Sequence, residues 1–224
     1  MKRLLMPICV ILSLVLSVSS NAAINAEWKK IKNRKGVDVF EGVIANSPVV
    51  AFRGVSVIDA PIGKVVSVIH DVSRIKEWMS DLAGSRVLER KSVLEKIEYN
   101  HTKTPWPLDD RDFVYSVKVV INKEEKSVDI LVENATHPDA PPVKGIVRGT
   151  LHSSRYYLKS IDNGTRTHIE VEVLADPNGN IPKWVVNLFQ SAWPSNTVAG
   201  IGKIATETGY QIHPDITPFL VKTP

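Results

Sequence analysis

Cysteine is almost missing from this 224-residue chain, and the only one is Cys9. It lies in an apolar run over residues 4–18, interrupted only by Pro7, Ser13 and Ser17, which follows Lys2 and Arg3 and precedes small residues over 19–23. That order is the order of an export signal. Cleavage is expected after Ala22, with Ala26 as the second site, so residues 1–22 are read as a leader. The run is shorter than the about 20 apolar residues that a membrane span needs. Cys9 is preceded by Met6-Pro7-Ile8 rather than small residues and stands before most of the apolar run, which argues against a lipid-modified cysteine. The expectation is a secreted, periplasmic protein with neither a disulfide nor a thiolate metal site. Its fold must rest on a hydrophobic core alone.

A strong charge of one sign is also lacking. The whole chain carries 28 Lys+Arg against 24 Asp+Glu, and losing Lys2 and Arg3 brings the balance closer to neutral. That gives no footprint for nucleic acid, which is not an expected partner. The run Lys29, Lys30, Lys32, Arg34, Lys35 is a local exception, read as solvated surface or as a contact for anionic headgroups. Beyond the leader no repeat, low-complexity tract or linker interrupts the chain, and its length suits one domain.

Motifs for chemistry are equally scarce. The six histidines, at 70, 101, 137, 152, 168 and 213, show no metal-ligand spacing, and there is no Gly-x-Ser-x-Gly elbow or phosphate loop. Gly200-Ile201-Gly202-Lys203-Ile204-Ala205 matches a dinucleotide fingerprint by letter. It follows a helical pattern instead of a strand, and the chain nearly ends where the ribose-binding acid should be. Asp109-Asp110 beside Asp112 lacks the Gly and distant Glu of a calcium loop and reads as a solvated turn. No cofactor, catalytic residue or metal ligand is expected.

What is present is strand pattern framed by helices. Residues 37–44 and 49–58 are β-branched and aromatic, with the turn Asn46-Ser47-Pro48 between them. Asp59 is a candidate N-cap with Pro61 just inside a helix whose apolar face is Val65, Val66, Val68, Ile69 and Val72; Ser73 is the candidate cap of a short helix holding Ile75 and Trp78. Strands are expected over 85–91, 94–103, 111–121, 127–134, 145–160 and 165–175, the last two joined by Asp162-Asn163-Gly164. Short turns between consecutive strands imply an antiparallel sheet. A long helix then starts at Asn180-Ile181-Pro182, and Pro194 is expected to kink or interrupt it. The three-proline tail from Gln211 is expected along the surface. The class is α+β, and a twisted sheet of this length curls so that a terminal helix closes its open side. Periodicity leaves open whether the enclosed space holds side chains or a ligand.

Several segments carry a resemblance. Pro105-Trp106-Pro107-Leu108-Asp109-Asp110-Arg111-Asp112-Phe113-Val114 resembles the entry to a central strand of START (steroidogenic-acute-regulatory-protein-related lipid transfer) domains, Lys144-Gly145-Ile146-Val147-Arg148 resembles their Lys-Gly-x-x-Arg strand, and residues 176–187 resemble the turn into their C-terminal helix. Phe52-Arg53-Gly54 and Trp78 also sit where that family would have them. The resemblance spans about residues 28–210. It implies a helix-grip fold, with a curved antiparallel β-sheet wrapped around a long C-terminal helix, a START-like domain over 23–210 and a tail over 211–224. It also implies noncovalent binding, and intermembrane transfer, of a lipid or sterol-like apolar ligand by a monomer that is not an enzyme and touches membranes transiently.

Candidate ligand contacts on that reading are Glu98, Trp106, Arg111, Phe113, Tyr157, Trp184, Val185, Leu188 and Phe189. Arg111 and Asp112 are strand neighbours, so only one can face the interior. Arg111 with Glu98 as its acidic counterpart is balanced against a structural ion pair at the strand end. Trp106 either lines a mouth or covers its loop. For Phe113, Tyr157 and the stripe Trp184, Val185, Leu188, Phe189, ordinary core packing stands beside a pocket wall. The alternative is a cyclase-like enzyme on an apolar substrate, marked by Glu98 meeting His101 or His168. A third reading, a module that binds a protein partner through an exposed apolar patch, also stands.

Overall fold

The structure is a computed structural model that describes residues 23–45, 49–79, 81–181 and 183–220; over 182–190 only the Val186 side chain is described, and that of Leu220 is not. The expected leader and the Asn46-Ser47-Pro48 turn lie outside the described residues. Among the described residues there are ten strands, several of which follow the apolar alternation: β1 (Glu27–Arg34), β2 (Val37–Val43), β3 (Ala51–Ile58), β4 (Leu82–Ser92), β5 (Glu95–Thr102), β6 (Asp110–Asn122), β7 (Ser127–Asn134), β8 (Ile146–Arg148), β9 (Thr150–Ile161) and β10 (Arg166–Asp176). They form one open sheet in the order β1-β2-β3-β10-β9-β7-β6-β5-β4, antiparallel throughout except for β8, which pairs parallel with β6. Among the described residues four α-helices accompany it: α1 (Ile62–His70), α2 (Ile75–Trp78), α3 (Lys183–Ala205) and α4 (Thr217–Leu220).

The sheet edges explain the basic run. Lys29, Lys30, Arg34 and Lys35 belong to β1 and its turn and stand exposed at one rim. Charged side chains on an edge strand discourage pairing with another chain. A bulge between Lys30 and Lys32 breaks the register, so no clean alternation marks this strand in the sequence.

Several local expectations need correction. The expected strand over 145–160 splits at Gly149. A Cβ there would lie 2.3 Å from the Phe113 ring, so the chain crosses that ring only as glycine and changes partner from β6 to β7 and β10. Asp59 does not cap α1; Pro61 holds that position with no side-chain bond. Asp71, rather than Ser73, caps the turn before α2, accepting from Ser73 N at 3.0 Å. α3 is not interrupted at Pro194, whose Cβ lies against Gly54 on β3, where any side chain would collide with it. The hairpin at Asp162-Asn163-Gly164 forms as expected, with φ of 49°, 56° and 89°.

The tail runs along the surface, exposed at Gln211, Pro214, Asp215, Thr217 and Pro218, but it is anchored there. Ile216 is fully buried, and Ile212 packs so closely on α1 that a Cβ at Gly63 would come within 2.7 Å of it. The main core lies between the concave sheet face, α1, α2 and the second half of α3, through Val65, Val66, Leu158, Ile169, Ile201 and Ile204.

The glycines of the would-be nucleotide motif serve packing. A Cβ on Gly200 would stand 2.7 Å from the Cα and 2.9 Å from the carbonyl oxygen of Trp78, which is backbone that cannot swing away. Gly200→Ala gains about 1 kcal/mol of helix propensity, but crowding costs about 1–3 kcal/mol. Thermal unfolding should show a net loss; a variant more stable than the parent would refute the close α2–α3 contact.

Candidate functional site

Alternation on the central strands sends one set of side chains into the hollow of the sheet. On β6 the inward residues are Arg111, Phe113, Tyr115 and Val117, while Asp112 and Val114 face outward into a second small core with Ile97 and Ala140. Asp112 is held there by Arg148 through Nε at 2.7 Å and Nη2 at 3.0 Å. On β5 the inward set includes Glu98 and Asn100. Between this face, α2 and α3 lies a partly open cavity of about 470 Å³, mostly apolar, within the size range of small-molecule sites. Ile130, Val132 and Val173 form part of its floor, and Val186, Ala192 and Trp193 of α3 its roof. The Tyr156 and Trp193 rings meet edge to face at 6.3 Å, joining β9 to the roof.

Two polar stations interrupt the oily wall. At one, Lys96 Nζ stands 2.6 Å from Glu98 Oε1, with side chains only 6% and 4% exposed, and Lys96 also donates to the His70 carbonyl at 3.2 Å. The ion pair is close but not aligned as a hydrogen bond, which leaves Glu98 Oε1 with unused acceptor capacity. Asn100 Nδ2 donates to the Tyr115 hydroxyl at 2.5 Å. Burial, and then the neighbouring Glu98 carboxylate, push the Tyr115 hydroxyl well above its usual range, so it stays protonated. Asn100 Oδ1 and Trp78 Nε1 are buried with no hydrogen-bond partner among the described residues. Buried polar atoms left in that state are costly, and both residues line the cavity.

The second station is Arg111, 5% exposed. Its guanidinium donates to the carbonyls of Asp109, of Pro177 at 3.3 Å and of Asn178 at 3.2 Å, and among the described residues it makes no salt bridge. Burial lowers its pKa, with Asp109 and Asp110 opposing. Backbone carbonyls neutralise only partial charge, so a buried cation is left facing the cavity.

These placements sort the sequence candidates. Glu98, Arg111 and Phe113 line the cavity, but Glu98 is not the counterpart of Arg111. Glu98 pairs across the sheet with Tyr115, whereas Arg111 pairs with Thr102, four residues or about 13 Å further along. Trp106 is 92% exposed and does not line the cavity; its neighbours Pro105 and Leu108 do. Tyr157 faces outward under Arg155, 4.9 Å from its ring centroid, and the inward residue is Tyr156. One step of strand parity separates the two. The side chains of Trp184, Val185, Leu188 and Phe189 lie outside the described residues. Sequence reasoning missed Lys96, Asn100 and Tyr156, although Lys96 and Asn100 share the face of Glu98 by simple alternation.

Comparison with known proteins agrees with this architecture. The START domain profile matches residues 14–194. The uncharacterised Pseudomonas aeruginosa protein PA1579 is 28% identical over 199 residues, covering 88% of this chain and 95% of that one. Phosphatidylcholine transfer protein of Bos taurus is 23% identical over 165 residues, 72% and 76% of the two chains. The crystal structure of human STARD10 superposes with a TM-score of 0.74 at 23% identity, over 89% of this chain and 85% of that one, which shows a shared fold. With a curved open sheet, a C-terminal helix across its hollow and a profile match over most of its length, the chain belongs to the START domain family.

Proposed function

We propose that this protein binds one lipid or other apolar molecule noncovalently in the cavity and exchanges it with membranes. The carrying observation is the hollow itself, about 470 Å³ lined mainly by apolar side chains. Burying an aliphatic tail there is worth roughly 25 cal/mol per Å² and needs no reactive group. Trp78 Nε1 can donate to, and Asn100 Oδ1 and Glu98 can accept from, a hydroxyl or amide on the guest. Arg111 suits an anionic headgroup at the other station. The name of the bovine relative, a phosphatidylcholine transfer protein, supports a lipid as cargo.

An enzymatic reading finds less support. His101 pairs with Asp110 at 2.8 Å and His168 with Glu170 at 2.9 Å, and neither lines the cavity with Glu98. The acid–base pair on which that reading rests is not assembled. Transfer also needs a membrane-facing surface. Arg34, Lys35, Lys76 and Lys203 line a groove adjoining the cavity, with Arg34 shared by both, which suits anionic headgroups. The leader expected over 1–22 supports a carrier that works outside the cytoplasmic membrane.

Native mass spectrometry after incubation with mixed phospholipid vesicles is the test. A one-to-one lipid adduct is expected, with faster uptake from phosphatidylglycerol than from phosphatidylcholine vesicles, and that preference should fade in Lys35→Gln/Lys203→Gln. Apoprotein mass alone under every condition would end the carrier reading.

A further inference from the structure

Away from the cavity, the segment after α3 brings together three groups that lie far apart in the sequence. The chain reverses at Gly209, φ 80°, and runs back over α1. Ile216 is buried beneath it, and His213 N donates to Ser67 Oγ at 2.8 Å. This docking sets His213 and Asp215 over His70, the last residue of α1, more than 140 positions earlier.

The three side chains converge without satisfying one another. His70 Nε2 is 3.6 Å from Asp215 Oδ2, and His213 Nδ1 is 3.9 Å from the same oxygen. Both distances are too long for hydrogen bonds. The two imidazoles stand edge to face with centroids 5.0 Å apart. One donor atom from each of the three residues can be chosen so that all lie within 4.8 Å of one another. Ligands held about 2.0–2.2 Å from a tetrahedral zinc ion stand roughly 3–3.5 Å apart. Modest side-chain rotation therefore closes this arrangement onto one ion.

We propose that His70, His213 and Asp215 bind one divalent transition-metal ion of the zinc class, which clamps the C-terminal segment onto α1. Two imidazoles and a single carboxylate favour Zn²⁺, Ni²⁺ or Cu²⁺ over Ca²⁺ and Mg²⁺, which prefer shells of oxygen. Lys96 and Arg90 bring positive charge near His70. The two cations oppose a dication, yet Lys96 is already paired with Glu98 and Arg90 is exposed to solvent. Coordination through His213 Nδ1 gives up one long bond, from Asp215 N at 3.2 Å. The clamp would fix the chain that leaves the cavity roof, so metal would bear on how far α3 can lift. His70 and the pair His213, Asp215 belong to different elements, so no local spacing could announce the site.

Calorimetric titration of the metal-stripped protein with ZnCl2 should give one site, and unfolding should shift upward by about 5–10 °C at a hundredfold excess over Kd. Mg²⁺ should do neither. Asp215→Asn and His213→Gln should each weaken Zn²⁺ binding at least about tenfold, whereas His168→Gln on β10 should leave it unchanged. Asp215 is exposed, so its variant keeps the test valid if His213→Gln unfolds. Absence of a zinc-dependent shift in the parent protein, or a shift of equal size in Asp215→Asn, overturns the proposal.

Discussion

Val132→Phe combined with Val173→Phe should yield a folded protein that no longer takes up lipid. Val132 on β7 and Val173 on β10 both stand opposite Ser154 on the intervening β9, so the three form one row across the cavity floor. Two rings rooted there, about 9–10 Å apart at their backbones, project into the hollow from both ends of the row. If the space is empty of protein, filling it adds contacts and stability rises by about 0.5–2 kcal/mol for each ring. Lipid affinity should fall tenfold or more, since the rings occupy the volume that a tail requires. Thermal unfolding and lipid uptake, measured on one preparation, move in opposite directions on this account. A densely packed interior would instead lose about 1–3 kcal/mol for each enlargement. Loss of stability with lipid uptake intact would therefore contradict the hollow.

The second large effect concerns Lys96 and Glu98. The pair lies almost wholly out of solvent, and removing one member strands the other charge in the interior. Glu98→Leu should cost about 3–5 kcal/mol, a large fraction of the stability of an ordinary domain. Lys96→Met/Glu98→Leu should cost far less, because an apolar pair of similar volume replaces the ions without leaving either unpaired. Urea unfolding of both single variants and the double variant gives the coupling energy. Strict additivity would mean that the two charges do not depend on each other. If this station also receives the polar end of the guest, the double variant should be stable yet bind lipid more weakly than the parent. Equal stability with undiminished binding would confine the pair to a structural role.

Much of the fold was legible because burial on one face writes itself into the chain as alternation. Strands β5 to β7, β10 and the apolar face of α1 as far as Ile69 fall where their patterns put them, while Val72 lies beyond the end of that helix. β1 escaped because an edge strand with a bulge buries too little to alternate. Gly149 escaped because its reason is the Phe113 ring, 36 positions earlier, and Asp71 because a cap depends on φ and ψ as much as on residue type. The site was readable only in part. Choosing Tyr157 over Tyr156 was a question of parity, and parity is fixed by register with neighbouring strands rather than by either residue. Pairing Arg111 with Glu98 assumed that neighbouring strands align their charges, whereas the register sets them about 13 Å apart.

Residue order by itself determined that this chain must hold together without disulfides, that it is α+β, and that it carries START-like segments over most of its length, since composition and periodicity are local quantities. Only the tertiary structure decided that the sheet's hollow stays open, that Lys96 neutralises Glu98 while Arg111 rests on carbonyls, and that His70 meets His213 and Asp215. Those are matters of which distant surfaces come within a few ångströms, and contact at that range is set by sheet curvature, strand register and helix docking together.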